Sequence, residues 1–292
     1  MKITTRCPAS CGELIQGWIE GSEKLISYGI DCYTQVTLQE GNDKRQRGYS
    51  KAYRMLDRVL RYYGYGEKEG KNISLKIASD IPRGKGMASS TADLAATALA
   101  AASLLGKQIS QLEIAKLCIE LEPTDSIVFS DITLLDHLEG KTIRSFGSFP
   151  EETGVLLLEG RGTINTLSYR RTNRDELLKR NKALLEKAMN CFQKGMRYKD
   201  LKELGRAATI SALAHQQLLP KVGLEELWEE AFKLGAAGIN VAHSGTVVGL
   251  LYSDTSFDKE RFVAAVVGKP FMKGYKAIKD YKIVAGGARL QV

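Results

Sequence analysis

The chain has 292 residues, 43% of them hydrophobic, and its 42 basic and 34 acidic residues give a formal charge of +8. The apolar content excludes a disordered or fibrous protein, and the length allows one large domain or two moderate ones. A positive charge of this size suits an anionic small ligand such as a nucleotide, and it is weak evidence for nucleic acid binding.

The cysteines and the hydropathy pattern indicate the compartment. Five cysteines at irregular spacing do not suggest a disulfide framework, and the N-terminus lacks the apolar segment of a signal peptide. No run of eighteen apolar residues is available to cross a membrane. The sequence therefore predicts a cytoplasmic protein that binds small molecules, without membrane or nucleic acid partners.

The first half of the chain mixes predicted strands and helices. Ser110 and Glu113 are spaced as a capping box at a helix N-terminus, and Pro123 is a helix-stopping residue. Apolar periodicity predicts the remaining elements. In chain order they are extended segments over 24–38, a helix over 51–63, a half-buried strand over 72–81, an Ala-rich helix over 91–105 and a helix over 110–122.

The second half is mainly amphipathic helix. Strands and helices coexist without a regular βαβ rhythm, which predicts an α+β protein with two lobes. We place the lobes at residues 1–150 and 151–292, with a connector over 147–150 at the end of the first lobe. The predicted elements are a strand beginning at 154, helices over 175–195, 199–219 and 224–234, and strands over 246–252 and 282–290.

Residues 82–92 form the most informative segment. This glycine-bearing loop runs from a predicted strand into a predicted helix N-terminus, where backbone N–H groups and the helix dipole favour an anion such as phosphate. Gly84 and Gly86 let the main chain approach a ligand closely, and Lys85 adds a positive charge. The spacing matches neither the P-loop nor the dinucleotide fingerprint. An ordinary Gly/Ser loop that caps a helix is the alternative.

Two further motifs flank this loop in the chain. One is Cys-Pro-Ala-Ser-Cys-Gly-Glu-Leu-Ile-Gln-Gly over 7–17, and the other is Asn-Val-Ala-His-Ser-Gly-Thr-Val-Val-Gly over 240–249. In this order, the three motifs resemble the GHMP kinase superfamily along the whole chain. The resemblance implies a two-lobed α+β fold, with an N-terminal ATP-binding lobe like domain 2 of ribosomal protein S5 and a ferredoxin-like C-terminal lobe. It also implies ATP and Mg²⁺ as cofactors.

One branch of that family is the most similar. The 7–17 motif, together with Glu-Pro-Thr-Asp-Ser over 122–126, resembles the members that phosphorylate the side-chain hydroxyl of free L-threonine for the aminopropanol linker of cobalamin. Two alternatives stay open. The first is a kinase of another small alcohol such as homoserine, and the second is a nucleotide-binding regulator that kept the fold without catalysis.

Phosphoryl transfer requires positioning and charge neutralisation, which suggests roles for particular residues. Ser90 is a candidate Mg²⁺ ligand, with Glu122 preferred over Glu120 as the carboxylate. Lys85, Ser90 and Asp125 are predicted to be catalytic, with Asp125 as general base; a capping Asp, or one that merely orients the hydroxyl, is the alternative. The residues predicted to contact ATP are Pro82, Arg83, Gly84, Lys85, Gly86, Met87, Ala88, Ser89 and Ser90.

The amino-acid substrate is predicted to contact a second group of side chains. Glu13 is a carboxylate suited to an ammonium group, and His243 is interpreted as a hydrogen-bonding residue of the 240–249 loop. His137 and His215 are interpreted as structural. The predicted substrate contacts are Ser10, Glu13, Asp125, Gly245 and Thr246.

Overall fold

Ten strands form one antiparallel sheet in a computed structural model that describes residues 1–41, 46–66, 70, 72–164 and 174–291. The strands are β1 (Lys2–Ile19), β2 (Ser22–Glu40), β3 (Ile73–Ser79), β4 (Thr133–Leu135), β5 (Ile143–Ser145), β6 (Thr153–Gly160), β7 (Gly238–Val241), β8 (Val247–Ser253), β9 (Tyr275–Val284) and β10 (Arg289–Leu290). Their order is β10-β1-β7-β8-β6-β9-β2-β4-β5, β3 lies on β2, and β1 also pairs with β2.

The helices belong to both halves of the chain. They are α1 (Ser50–Tyr62), α2 (Ser89–Leu104), α3 (Gln111–Ile119), α4 (Asp175–Arg180), α5 (Lys182–Tyr198), α6 (Leu201–His215), α7 (Leu224–Lys233) and α8 (Lys259–Val266). Short 3₁₀ turns cover Ser126–Val128 and Pro270–Gly274. No helix in the described part of the chain is long and apolar enough to cross a membrane.

The predicted α+β composition is confirmed, and several boundaries are corrected. The capping box of Ser110 and Glu113 is present, but helix α3 ends at Ile119, so Glu120 is its C-cap and Glu122 lies beyond it. The helix predicted over 175–195 is interrupted at Asn181. The last predicted strand, over 282–290, is divided into the end of β9 and the short β10.

The 7–17 motif is a bulged strand, which its sequence does not suggest. β1 forms a long hairpin with β2, and its register shifts three times between Pro8 and Ile15. Gly12 lies in one of these irregular stretches with φ of +65°, and a Cβ there would lie 2.6 Å from the carbonyl carbon of Val241. Because bulges redirect side chains, this stretch presents Glu13 to the interior while β1 remains in the sheet.

The Ala-rich helix α2 packs on β1 and β2. Most of its residues are buried, and the small alanine side chains let its backbone approach the sheet closely. The hydroxyl of Thr5 on β1 donates to the carbonyl of Ala96 at 2.8 Å. These contacts fix the N-terminal turn of α2 relative to the 7–17 motif.

Strands from both halves of the chain share the sheet. β6 pairs with β8 and β9, and β9 in turn pairs with β2 through Gly29 and Ile30. The division into lobes at residue 150 stays a prediction.

Candidate active site

A cavity of about 500 Å³ opens beside the N-terminus of α2. We call its exposed part the loop end and its inner part the buried end, after the burial of the residues that line them. The loop end includes Tyr49, Lys51, Arg83, Gly84, Ser89, Ser90 and Glu122, and the buried end includes Glu13, Leu25, Thr124, Asp125, His137 and His243. The 82–90 loop and the motif over 122–126 therefore line the same cavity, as predicted.

Three residues of the 82–90 loop have left-handed backbone. The φ angles are +70° at Gly84, +81° at Gly86 and +54° at Ala88, the N-cap of α2. Left-handed residues alternating with others form backbone concavities whose N–H groups converge on anions. Gly84, Gly86, Met87, Ala88 and Ser89 all line the cavity. The loop therefore presents backbone and a helix N-terminus to a ligand.

The 240–249 loop supports the 82–90 loop from behind. The backbone N–H groups of Thr246 and Val247 donate to the carbonyl of Lys85 at 2.8 and 3.1 Å. A Cβ on Gly245 would lie 2.3 Å from Cα of Gly86. Gly245 and Thr246 pack against the loop, and the preceding His243 and Ser244 line the cavity. The contact of Gly245 and Thr246 with substrate stays a prediction.

The ammonium group of Lys85 does not point into the cavity, contrary to the sequence prediction. Its Nζ donates to the carbonyls of Gly160 and Gly162 at 2.7 and 2.5 Å and lies 3.7 Å from a carboxylate oxygen of Glu159. Lys85 is buried, and a buried ammonium group requires acceptors, which these residues supply. Arg83 does line the cavity and stacks over the ring of Tyr49 at 4.2 Å, whereas Pro82 is not among the lining residues.

Ser90 and Glu122 are in contact, and Lys51 joins them. The Ser90 hydroxyl donates to one oxygen of Glu122, and the Lys51 ammonium group pairs with the other. Lys51 Nζ also lies 3.3 Å from Ser90 Oγ. Glu120 instead pairs with Arg58, away from this cluster. The geometry thus favours Glu122 over Glu120, and Lys51 is a residue that sequence reasoning missed.

Asp125, at the buried end, caps a turn and also lines the cavity. Its Oδ1 accepts from the backbone N–H of Ile127 at 3.0 Å, so it caps the 3₁₀ turn that follows. Burial raises the pKa of Asp125 to about 6, although the Ile127 N–H and the nearby hydroxyls of Ser27 and Ser10 lower it. Asp125 therefore has the capping contact that the sequence analysis gave as an alternative, and it also lines the cavity. Its role as general base stays a prediction.

Glu13 occupies the buried end. Burial raises its pKa well above the usual range, and the charge of Asp125 adds to that effect. The backbone N–H of His243 donates to Glu13 Oε2 at 2.5 Å. Lys221 is close enough for the two charges to interact; burial lowers the pKa of Lys221 to about 7, and Glu13 opposes that shift. Ser10 is fully buried beside Asp125 and does not line the cavity.

The three histidines of the chain converge at the buried end, which their sequence spacing conceals. The ring centroid of His243 lies 5.1 Å from that of His137 and 5.5 Å from that of His215. Glu23 on β2 contacts both His243 and His137. Burial raises the pKa of Glu23, but the two rings outweigh this effect and hold the pKa well below its usual range. This cluster cannot be recognised from the sequence, because its members come together only in the folded chain.

Comparison with known proteins agrees with this geometry. The families described as "GHMP kinases N terminal domain" and "GHMP kinases C terminal" match residues 50–130 and 174–270. Proteins named L-threonine kinase from Salmonella typhimurium and Citrobacter freundii are each 40% identical over 98% of this chain and 95% and 99% of their own lengths.

A solved structure of mevalonate diphosphate decarboxylase from Staphylococcus aureus superimposes with a TM-score of 0.75 at 16% identity, over 100% of this chain and 98% of the other. At that identity the likeness shows the fold alone. The two-lobed α+β fold predicted from the motifs is confirmed, and the chain belongs to the GHMP kinase family.

Proposed function

We propose that this protein transfers the γ-phosphoryl group of ATP to the side-chain hydroxyl of free L-threonine. The product is O-phospho-L-threonine, destined for the aminopropanol linker of cobalamin. Membership of a kinase family supports ATP as the phosphoryl donor, and the relatives named L-threonine kinase support the acceptor. The observation that carries the proposal is one cavity that combines a phosphate-type loop with a carboxylate of raised pKa.

The loop end is suited to the triphosphate. Backbone N–H groups at the α2 N-terminus favour phosphate oxygens, and the exposed Lys51 supplies the positive charge that Lys85 does not. The adjacent oxygens of Ser90 and Glu122 fit Mg²⁺, a hard cation that takes oxygen ligands and retains several waters. When bound, Mg²⁺ neutralises phosphate charge during transfer.

Asp125 is suited to accept the proton of the acceptor hydroxyl. A general base works best when its pKa lies near the operating pH, and that of Asp125 is about 6. Its carboxylate is therefore mostly ionised at neutral pH. As the hydroxyl oxygen bonds to the γ-phosphorus and ADP leaves, the hydroxyl proton passes to Asp125.

Glu13 is suited to the ammonium group of the amino acid. Burial and the charge of Asp125 raise the pKa of Glu13, so both disfavour its charged form. A substrate ammonium group beside it favours the charged form instead. We therefore expect binding of the amino acid to lower the pKa of Glu13, an effect that a neutral alcohol would not have.

An ATP-consumption screen tests the proposal directly. The full-length protein is incubated with ATP, Mg²⁺ and L-threonine, L-serine, L-homoserine or no acceptor, and the phosphorylated product is identified by mass spectrometry and ³¹P NMR. We expect the highest kcat/KM with L-threonine. Faster turnover of homoserine would support the other small-alcohol kinase, and ATP binding without turnover of any acceptor would support a non-catalytic regulator.

A further inference from the structure

Glu23, His137 and His243 form a cluster of polar side chains that has no role in the proposed phosphoryl transfer. All three side chains are buried, and one donor atom from each lies within 4.8 Å of the others. The residues come from β2, from the segment after β4 and from the loop between β7 and β8. Such a convergence of imidazole and carboxylate groups is the donor set of zinc sites with two histidines and one glutamate.

Hydrogen bonding fixes which nitrogen of His243 faces the carboxylate. Gln16 donates its side-chain N–H to the carbonyl of Val241 at 2.9 Å, which leaves Gln16 Oε1 as the acceptor for His243 Nδ1 at 3.0 Å. Nδ1 therefore carries a proton, and Nε2 is directed at Glu23 Oε1, 3.1 Å away. Ring nitrogens of metal-binding histidines are held in this way, with the second nitrogen donating to a fixed oxygen.

Glu23 contacts the two histidine rings through different carboxylate oxygens. Nε2 of His243 lies 3.1 Å from Glu23 Oε1, and Nε2 of His137 lies 3.7 Å from Glu23 Oε2. In a tetrahedral site with metal–ligand bonds of about 2.0–2.1 Å, neighbouring ligand atoms lie about 3.3 Å apart. The two separations lie close to that distance, each measured to a different oxygen of Glu23.

We propose that Glu23, His137 and His243 bind one divalent transition-metal ion of the Zn²⁺ type. Imidazole and carboxylate ligands together suit Zn²⁺ better than Mg²⁺, which prefers oxygen. His137 and His243 line the cavity, so the remaining coordination position faces it and is available to water or to a donor atom of a bound small molecule. This site is separate from Ser90 and Glu122, and the inference does not depend on the phosphoryl transfer.

Arg174 sets a limit on the affinity. Its Nη2 lies 3.4 Å from Glu23 Oε1, so a positive charge already lies beside the proposed carboxylate ligand. The same guanidinium charge opposes a second cation nearby. We therefore expect weaker binding than in zinc sites that lack such a neighbour.

The test uses the full-length protein, freed of metal with a chelator and titrated with Zn²⁺ and with Co²⁺ alone. We expect one Zn²⁺ per chain, displaced competitively by a chromophoric chelator, and visible d–d absorption from four-coordinate Co²⁺. His137→Gln and Glu23→Gln should each weaken Zn²⁺ binding at least about tenfold.

Two control variants make the result specific. His215→Gln removes a histidine that lies next to His243 but is not one of the three proposed ligands. Glu122→Gln removes a carboxylate from the loop end. Both variants should bind Zn²⁺ as the parent chain does. Circular dichroism and Tm establish that each variant is folded. A folded parent chain that takes up no Zn²⁺ at about tenfold excess overturns the proposal, as does equal loss of Zn²⁺ in folded His215→Gln and His137→Gln.

Discussion

The two ends of the cavity differ in whether backbone or side chains provide most of their lining. At the loop end, the chain contributes backbone from one continuous stretch, with Gly84, Gly86 and Ala88 in left-handed conformation before helix α2. At the buried end, it contributes side chains from β1, β2 and three connecting segments, which meet only in the folded molecule. A ligand held by backbone is sensitive to added Cβ atoms, whereas a ligand held by side chains is sensitive to changes of charge.

The largest expected effect concerns the buried end. Asp125→Asn should lower kcat with L-threonine by about 10²–10⁴-fold, because the acceptor loses its general base, while KM for ATP changes little. Asp131→Asn is the matched control, since Asp131 is an exposed aspartate that contacts Ser145. Steady-state kinetics measure both. An unchanged kcat in Asp125→Asn would remove this residue from the mechanism.

The loop end should respond to added volume. A Cβ on Gly86 would lie 2.3 Å from Cβ of Ala242, whereas one on Gly106, at a similar positive φ, meets no atom of the described residues within 4 Å. Overpacking costs about 1–3 kcal/mol, so Gly86→Ala should weaken ATP binding by about 5- to 150-fold. Gly106→Ala should carry the backbone strain without that loss. Calorimetric titration with a non-hydrolysable ATP analogue measures the difference, and equal affinities would exclude backbone approach as the basis of binding.

The proposed Mg²⁺ site at the loop end distinguishes the roles of two nearby carboxylates. Glu122→Gln and Ser90→Ala should each raise the Mg²⁺ concentration needed for half-maximal activity about tenfold. Glu120→Gln should not, because Glu120 pairs with Arg58 instead. Initial rates over a Mg²⁺ series provide the measurement. If Glu120→Gln shifts the requirement and Glu122→Gln does not, the assignment is reversed.

The smallest expected effect is a pH dependence. A general base acts only when deprotonated, and Asp125 has a pKa of about 6. The rate should therefore fall as the pH drops through 6, with about a twofold loss between pH 7 and pH 6. The acid limb of kcat/KM against pH should be absent from the residual activity of Asp125→Asn. A limb that persists unchanged in that variant belongs to another group.

The 82–90 loop at the loop end could be predicted from sequence, because it is built from contiguous residues. The strand, the glycine loop and the Ala-rich helix follow one another along the chain, and local spacing identifies all three. Ser90 and Glu122, chosen from their motifs as metal ligands, are in contact, and their role toward a metal stays a prediction. Lys85 was not placed correctly, since nothing in the local sequence indicates that the carbonyls of Gly160 and Gly162 would hold its ammonium group.

The buried end could be predicted only in part. Glu13 and Asp125 are found because they lie within recognisable motifs. The contact between His137 and Glu23 could not be predicted, because the two residues are more than a hundred positions apart in the chain. The pairing of β2 with β4 brings them together. The bulged path of β1 is similarly hidden, since its register shifts depend on Gly12 meeting the backbone near Val241.

The close approach of Gly86 and Gly245 couples distant parts of the gene. Neither position has room for a methyl group while the other keeps its present path. A chimaera that joins the first half of this chain to the second half of a relative should therefore be functional only when the incoming segment brings its own glycine at the position of Gly245. Recombination between diverged relatives, in the laboratory or in evolution, is constrained at these two codons as a pair.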